Sequence, residues 1–591
     1  MAEAQALAGA PAMPFGAALE PKGGARFRLW APAAKRVDLV LQEQVLPLKE
    51  AGEGWFELFE PSARAGMRYR YRIDGAALVP DPASRFQPQD AEGPSELVDP
   101  EGYTWRASAW RGRPWAEAVL YELHVGTFTA QGTYAGAAKK LEHLRRLGVT
   151  ALELMPLSDF SGRRNWGYDG VLPYAPDSRY GRPEALKALV DEAHAAGLMV
   201  LLDVVYNHFG PKGNYLGLYA PQFFTERHKT PWGAAMNFAE RWVREYFVHN
   251  ALYWLTEFRL DGLRFDAVHA IHDDSPKHVL LELAERVRAA VGADRHVHLV
   301  LENDANQARF LGENKYTAQW NDDAHHGFHV LATGESDGYY VAYADAPAKH
   351  LARSLAEGFA YQGEVSPFTK APRGEKSSEL PPCAFVDFLQ NHDQVGNRAL
   401  GERLLPLCEE KIVRTLSAIQ LLAPAVPLLF MGEEWGCRQP FLFFCDFPGE
   451  LGEAVRNGRR AEFSRFASFA EPAARQRIPD PLAESTFKRS TLRWKDSESA
   501  SGASWMSHYA ALLELRAKEI APRLAGARAG RWRMLGARAF EVAWEIARAR
   551  LTLVANCDTQ PVAVDSRPQG RLLWSNGEPG AAWSASWWIS E

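Results

Sequence analysis

A chain of 591 residues is too long for one ordinary domain, and 47% apolar with 24% charged residues is the balance of a globular protein with a large core, divided into two to four domains. The formal net charge of −6, without any basic block, argues against nucleic acid or an anionic membrane as partner. Five scattered cysteines without CxxC spacing fit a reducing compartment and argue against a cysteine-built metal site, and with neither a membrane-length apolar run nor a signal-peptide pattern the expected location is cytoplasmic.

Residues 1–20 are expected to be unstructured. From Ala25 the pattern is that of strands: Phe27 and Leu29 alternate with Arg26 and Arg28, and Tyr69, Tyr71 and Ile73 alternate with Arg68, Arg70 and Arg72 before the turn at Asp74-Gly75. Short strands with turn residues every ten or so positions predict an immunoglobulin-like β-sandwich over 21–104. It carries no catalytic constellation.

After Pro114 strands alternate with helix-length spacers. Strands are expected at 119–124, 151–155, 198–205, 262–268, 298–302, 318–320, 385–389 and 427–431. Between them lie helical stretches such as 137–147, closed by Gly148, one opening on Pro183, and 241–257. Eight strands in parallel βαβ units predict an α/β fold, a (β/α)8 TIM barrel over 105–524, with a doubly wound sheet as the alternative. The stretch 209–238, rich in Gly, Pro and aromatics, is expected to be a long excursion walling a cleft, and 355–382 a second irregular insertion. Residues 504–524 supply the last barrel helix, and the strand pattern returns over 525–591 as a C-terminal antiparallel β-domain.

Four apolar runs end on charge. Leu201-Leu202-Asp203-Val204-Val205 leads to Asn207-His208; Gly262-Leu263-Arg264-Phe265 leads to Asp266; His298-Leu299-Val300-Leu301 ends on Glu302; Phe385-Val386-Asp387-Phe388-Leu389 leads to Asn391-His392-Asp393. The C-terminal rim of a barrel sheet is where enzymes of this architecture keep their chemistry. Period-2 alternation puts Arg264 and Asp266 on one face. Three carboxyls from three strands suit glycoside hydrolysis, which needs a protonated acid and an ionised nucleophile or base across the scissile bond. A neighbouring cation suits Asp266 to the ionised role, and an apolar setting would suit Glu302 to the acid. Asp393 would steady the sugar hydroxyls and the developing positive charge. The 19 Trp and 19 Tyr, many beside Gly, Asp or Asn, fit a carbohydrate cleft.

The same segments resemble a known family. Asp203-Val204-Val205-Tyr206-Asn207-His208, the run 262–266, Leu301-Glu302-Asn303-Asp304 and Gln390-Asn391-His392-Asp393-Gln394 look like the four signature regions of the α-amylase family of glycoside hydrolases. Further stretches narrow the resemblance to the maltooligosyltrehalose trehalohydrolases: 121–129, 166–170, 207–211, Gln319-Trp320-Asn321-Asp322-Asp323-Ala324-His325-His326 and 430–435. The resemblance implies a retaining hydrolase that cuts the α-1,4 bond beside the trehalose end of its oligosaccharide and uses no organic cofactor. It implies Asp266 as nucleophile, Glu302 as acid/base and Asp393 as transition-state stabiliser. Arg264, His208, His392 and Tyr168 would surround the sugar whose bond is cut. Beside the resemblance, Trp320, Asp322 and His325 are candidate substrate contacts, with a solvated loop as the alternative for Asp322 and the His325-His326 pair. Asn207 matches a calcium ligand of some amylases, but its sequence neighbours offer no cage of oxygens, so no metal is expected. A glucan branching or debranching enzyme, and a non-catalytic sugar-binding relative, are the alternatives.

Overall fold

The computed structural model describes residues 13–564 and 567–591. Two sheets form the N-terminal part. One runs in the order Ala18–Leu19, Ala25–Trp30, Trp55–Glu60, Lys49–Gly52; the other joins Gln44–Pro47, Val37–Leu41, Arg68–Ile73 and Ala77–Val79, with Ser95–Glu96 beside Arg68–Ile73. The alternation of Arg with aromatic residues in 68–73 buries Tyr69, Tyr71 and Ile73 and leaves the arginines outward. Phe27 of the first sheet meets Tyr69 of the second edge-on, ring centroids 5.1 Å apart. The expectation of an unstructured 1–20 fails for its described part, and 1–12 lie outside the described residues. Ala18–Leu19 pairs with Arg26 and Ala25, and the Phe15 ring is buried against Trp55 and Tyr246. Burial of that aromatic area, which the surrounding small residues hid in the sequence, holds this segment between the sandwich and the barrel helix Arg241–Glu257.

Eight parallel strands close the barrel: β1 Leu120–Leu123, β2 Ala151–Leu154, β3 Met199–Val204, β4 Gly262–Phe265, β5 His298–Leu301, β6 Ala318–Trp320, β7 Phe385–Phe388 and β8 Val426–Phe430, with β8 pairing back to β1. The α/β barrel read from the strand–helix alternation is therefore closed and not a doubly wound sheet. The inward faces pack Leu120, Ala151, Leu201, Val300, Ala318, Val386 and Leu428 into one apolar cluster. Two residues further along several of the same strands the inward positions are charged: Glu122, Glu153, Asp203 and Arg264. Gly262 admits no side chain, since a Cβ there would lie 2.3 Å from the His298 carbonyl oxygen.

The excursion after β3 contains a short helix, Leu216–Tyr219, and a hairpin of Phe224–Thr230 with Gly233–Met236. After the helix Pro347–Glu357 the chain is irregular until β7. The C-terminal sheet is antiparallel in the order Arg531–Met534, Ala539–Ile546, Ala549–Asn556, Ser584–Ser590, Arg571–Ser575. Trp544 and Trp587 stack within it, and their indole N–H groups donate to the carbonyls of Leu355 and Ala418, fixing the sheet to two barrel helices. Among the described residues no helix is long and apolar enough to cross a membrane.

Candidate active site

The barrel's C-terminal mouth is built around Arg264, whose side chain is wholly buried. One guanidinium nitrogen donates to Asp203 Oδ2 at 2.6 Å and to Asp266 Oδ1 at 3.0 Å; the other donates to Glu302 Oε2 at 2.9 Å. The strand register sets this up. Arg264 on β4 lies beside Asp203 on β3 and Val300 on β5, so Asp266 and Glu302 follow two residues further along their chains, on the same inward side. A planar fork with several donors can hold carboxylates on separate prongs, which a point cation cannot. The Trp320 ring lies under the guanidinium at 4.2 Å. Side-chain exposure rises outward from Arg264 (0%) through Asp266 (10%) and Glu302 (16%) to Asp393 (37%), so the three carboxyls are reachable and the cation is not.

Glu302 is not in the apolar setting expected of it. Its Oε2 accepts from Arg264 and from the Ala267 backbone N–H at 2.7 Å, because the chain after β4 turns back over β5 with Ala267 at a positive φ of 40°. Asn207 spends its amide on the Asp266 carbonyl and Oδ2, both at 3.1 Å. Burial pushes the Asp203 carboxyl up to about 7, against the downward pull of Arg264 and of the Tyr168 hydroxyl, which donates to it at 2.5 Å.

A second charged pair lies beside the first. His392 Nδ1 is 2.5 Å from Glu122 Oε1, the His392 backbone N–H donates to Glu122 Oε2 at 3.0 Å, and Nε2 lies 3.4 Å from Asp393 Oδ1. The Tyr168 ring stacks on the imidazole, centroids 4.9 Å apart. Nearby, Glu153 is buried with no hydrogen-bond partner for either carboxyl oxygen, and burial pushes it far above the carboxylate range.

A cleft with about 770 Å³ of empty space, part of it open to solvent, reaches Glu302 and Asp393 of this cluster. Glu302, Trp320, Asp322 and Asp393 line it, as do His326, Tyr339, Tyr343 and Arg373. Asp322 is pushed well above the carboxylate range by burial and by the facing Glu302 and Asp304. His325 does not reach the cleft: it points from the helix Asp322–Thr333 onto Phe388, stacked at 5.4 Å, and it is His326, one position on, that faces the cavity. His208 sits at the side of the mouth, its Nε2 3.0 Å from the Tyr168 carbonyl and its ring stacked at 4.4 Å on Trp232, the hairpin residue of the β3 excursion. Sequence reasoning passed over Glu122, although it stands in the stretch 121–129 that carried part of the resemblance. It also missed Asp323, which is fully buried and gathers Tyr343, Arg373, Asn306 and the backbone of Ala360 and Tyr361.

Residues 84–218 match the family described as alpha amylase, catalytic domain, and residues 14–95 match carbohydrate-binding module 48, the isoamylase N-terminal domain. The class that fold and site define is the glycoside hydrolases of the α-amylase type. The malto-oligosyltrehalose trehalohydrolase of Deinococcus radiodurans is 43% identical over 86% of this chain and 83% of its own. That of Saccharolobus solfataricus is 40% identical over 85% and 87%. The chain belongs to the malto-oligosyltrehalose trehalohydrolase family. A crystal structure of a Salmonella typhimurium protein proposed to be an alpha amylase superposes with a TM-score of 0.94 at 46% identity, covering 98% of this chain and 99% of that one. A pullulanase from Anoxybacillus sp. LM18-11, solved with maltotetraose, has a TM-score of 0.70 over 99% of this chain and 88% of its own, and at 17% identity it shares the fold alone.

Proposed function

We propose that this protein is a retaining glycoside hydrolase that cleaves the α-1,4-glucosidic bond next to the trehalose end of a maltooligosyltrehalose, releasing trehalose and a maltooligosaccharide. The observation that carries the chemistry is the sharing of Arg264 between Asp266 and Glu302. Carboxyls held on two nitrogens of one guanidinium are brought to the same point of the barrel mouth, which supports the close pairing of about 5 Å that retention needs. In this reading Asp266 Oδ attacks the anomeric carbon while Glu302 protonates the departing glycosidic oxygen. A glucosyl ester forms on Asp266. Water then attacks the ester, Glu302 takes its proton, and the sugar leaves with its original anomeric configuration.

Asp393 and His392 would hold the hydroxyls of the sugar whose bond is cut. Tyr168 would stack on that sugar and His208 would bound its far side, while Trp320, Asp322 and, from the helix Asp322–Thr333, His326 would form the wall of the neighbouring position. The trehalose end as the recognised terminus rests on the names of the relatives. Its five cysteines, all free, are compatible with work in a reducing cytoplasm.

Product analysis tests the reading. Incubation with a trehalose-terminated maltooligosaccharide is expected to yield free trehalose by mass spectrometry, with the α-anomer of the maltooligosaccharide first to appear by NMR. New α-1,6 linkages on amylose, or no trehalose from the capped oligomer, would replace it with the branching reading.

A further inference from the structure

We infer that Glu122 is a positioning residue of this site, holding His392 as an imidazolium so that its Nε2–H is always presented to Asp393 and the bound sugar. Both partners are dry: Glu122 and His392 are each 1% exposed, at the inward C-terminal end of β1 and just past β7. The carboxylate engages the histidine twice, at Nδ1 and at the backbone N–H, so it fixes the ring's rotation as well as its charge. The need for the charge follows from hydrogen-bond chemistry. A neutral imidazole carries one proton; with Nδ1 facing a carboxylate the proton would stay there and leave a bare lone pair at Nε2, aimed at the carboxylate of Asp393 3.4 Å away. Only the doubly protonated ring satisfies both faces.

The other groups around His392 fit this assignment. Arg264 from β4 opposes the charge, whereas His124, which burial lowers to about 4, is neutral and adds no opposing charge. Glu153 from β2, kept protonated by burial, adds no competing anion. Tyr168, Trp166 and Trp320 surround the ring with aromatic surface, centroids 4.9, 5.6 and 6.1 Å away. Burial alone would lower His392; Glu122 and then Asp393 reverse this and raise it to about 9.

The inference rests on the reading that His392 and Asp393 hold the sugar, and the test separates the two. The full-length protein labelled with ring-15N histidine is titrated by NMR from pH 5.5 to 9, with the His392 signal assigned by its loss in His392→Asn. Both ring nitrogens are expected to stay protonated through pH 8. In Glu122→Gln the same ring is expected to be neutral at pH 7, with kcat/KM lowered by about tenfold or more. A His392 that titrates near the ordinary value of about 6.5, or identically in the parent and Glu122→Gln, overturns the inference. The parent titration decides even if Glu122→Gln does not fold. An active His392→Asn would instead remove the sugar-holding reading and leave the titration result standing.

Discussion

Replacing Asp203 with Asn turns the electrostatics of the barrel mouth into a measurable stability difference. Asp203 is 3% exposed, accepts from Tyr168 and Arg264 through Oδ2, and has no hydrogen-bond partner at Oδ1. Burial raises its pKa from 3.8 to about 7, with Asp266 adding to the rise and Arg264 only partly offsetting it. A carboxyl raised in the folded state keeps a proton that the unfolded chain gives up. Its destabilisation is therefore absent below the unfolded value, grows as pH rises, and is complete above the folded value. About three pH units at 1.36 kcal/mol each is about 4 kcal/mol in all, of which about 3 kcal/mol accrues between pH 5 and pH 8. Asparagine has the same shape, still accepts from Tyr168 and Arg264, and does not titrate. Urea unfolding followed by circular dichroism, on the parent and Asp203→Asn at both pH values, gives a double difference in which titrating groups remote from Asp203 cancel. The variant is expected to gain about 3 kcal/mol on the parent on going from pH 5 to pH 8. A gap that stays constant within about 0.5 kcal/mol would refute the assignment of a raised pKa to Asp203.

Much of the barrel was legible because its strands announce themselves twice, by apolar runs of strand length and by the charges at their ends. Arg264 and Asp266 are the clearest instance: period 2 puts them on one face, and their side chains meet at 3.0 Å. The same reasoning could not phase a helix. His325 and His326 both follow β6, but successive helical residues differ by about 100° in direction, and only the packing of Asp322–Thr333 against Phe388 decides which one faces the cleft. The expected apolar surroundings of Glu302 were inferred from the residues before it in β5, whereas its partners come from β4 and from the turn at Ala267, contacts that no local pattern encodes.

Long-range polar contacts explain the other omissions. Glu122 and Glu153 each interrupt an apolar run by one residue, which in a strand normally marks an outward, solvated position; in a barrel closed on itself the same alternation points them inward. Residues 358–382 show no period at all, yet their path is set, since Asp323 from another part of the chain receives the backbone N–H groups of Ala360 and Tyr361 and the Arg373 side chain. Phe15 was hidden for a similar reason: a single aromatic among small residues gives no pattern until its pocket, here Trp55 and Tyr246, is assembled.

Further substitutions test the remaining roles. Asp266→Asn is expected to reduce kcat to below about a hundredth of the parent, since an amide forms no glucosyl ester; burst-free kinetics on the capped oligomer checks it. Glu302→Gln is expected to be slow on the natural oligosaccharide and to recover on a glucosyl fluoride, whose leaving group needs no proton; no recovery would count against Glu302 as the acid. Tyr168→Ala removes the ring stacked on His392 and is expected to raise KM severalfold, so an unchanged KM would place Tyr168 outside the sugar site. Asp323→Asn addresses the cleft wall. Burial works against the Asp323 charge, but Arg373 and the Tyr343 hydroxyl, each 2.5 Å from Oδ1, hold its pKa below the ordinary value, so its stabilisation is present at neutral pH and is lost only as pH falls through the folded value. Removing one charge of a buried ion pair costs about 3–5 kcal/mol, here toward the lower end because Arg373 loses its buried partner but keeps the exposed Asp304 at 3.1 Å. Arg373 and Tyr343 both line the cleft, so the loss is expected to appear in urea stability and in KM together. A variant that lost stability while keeping its KM would show that Asp323 ties down the chain behind the wall without shaping the wall itself.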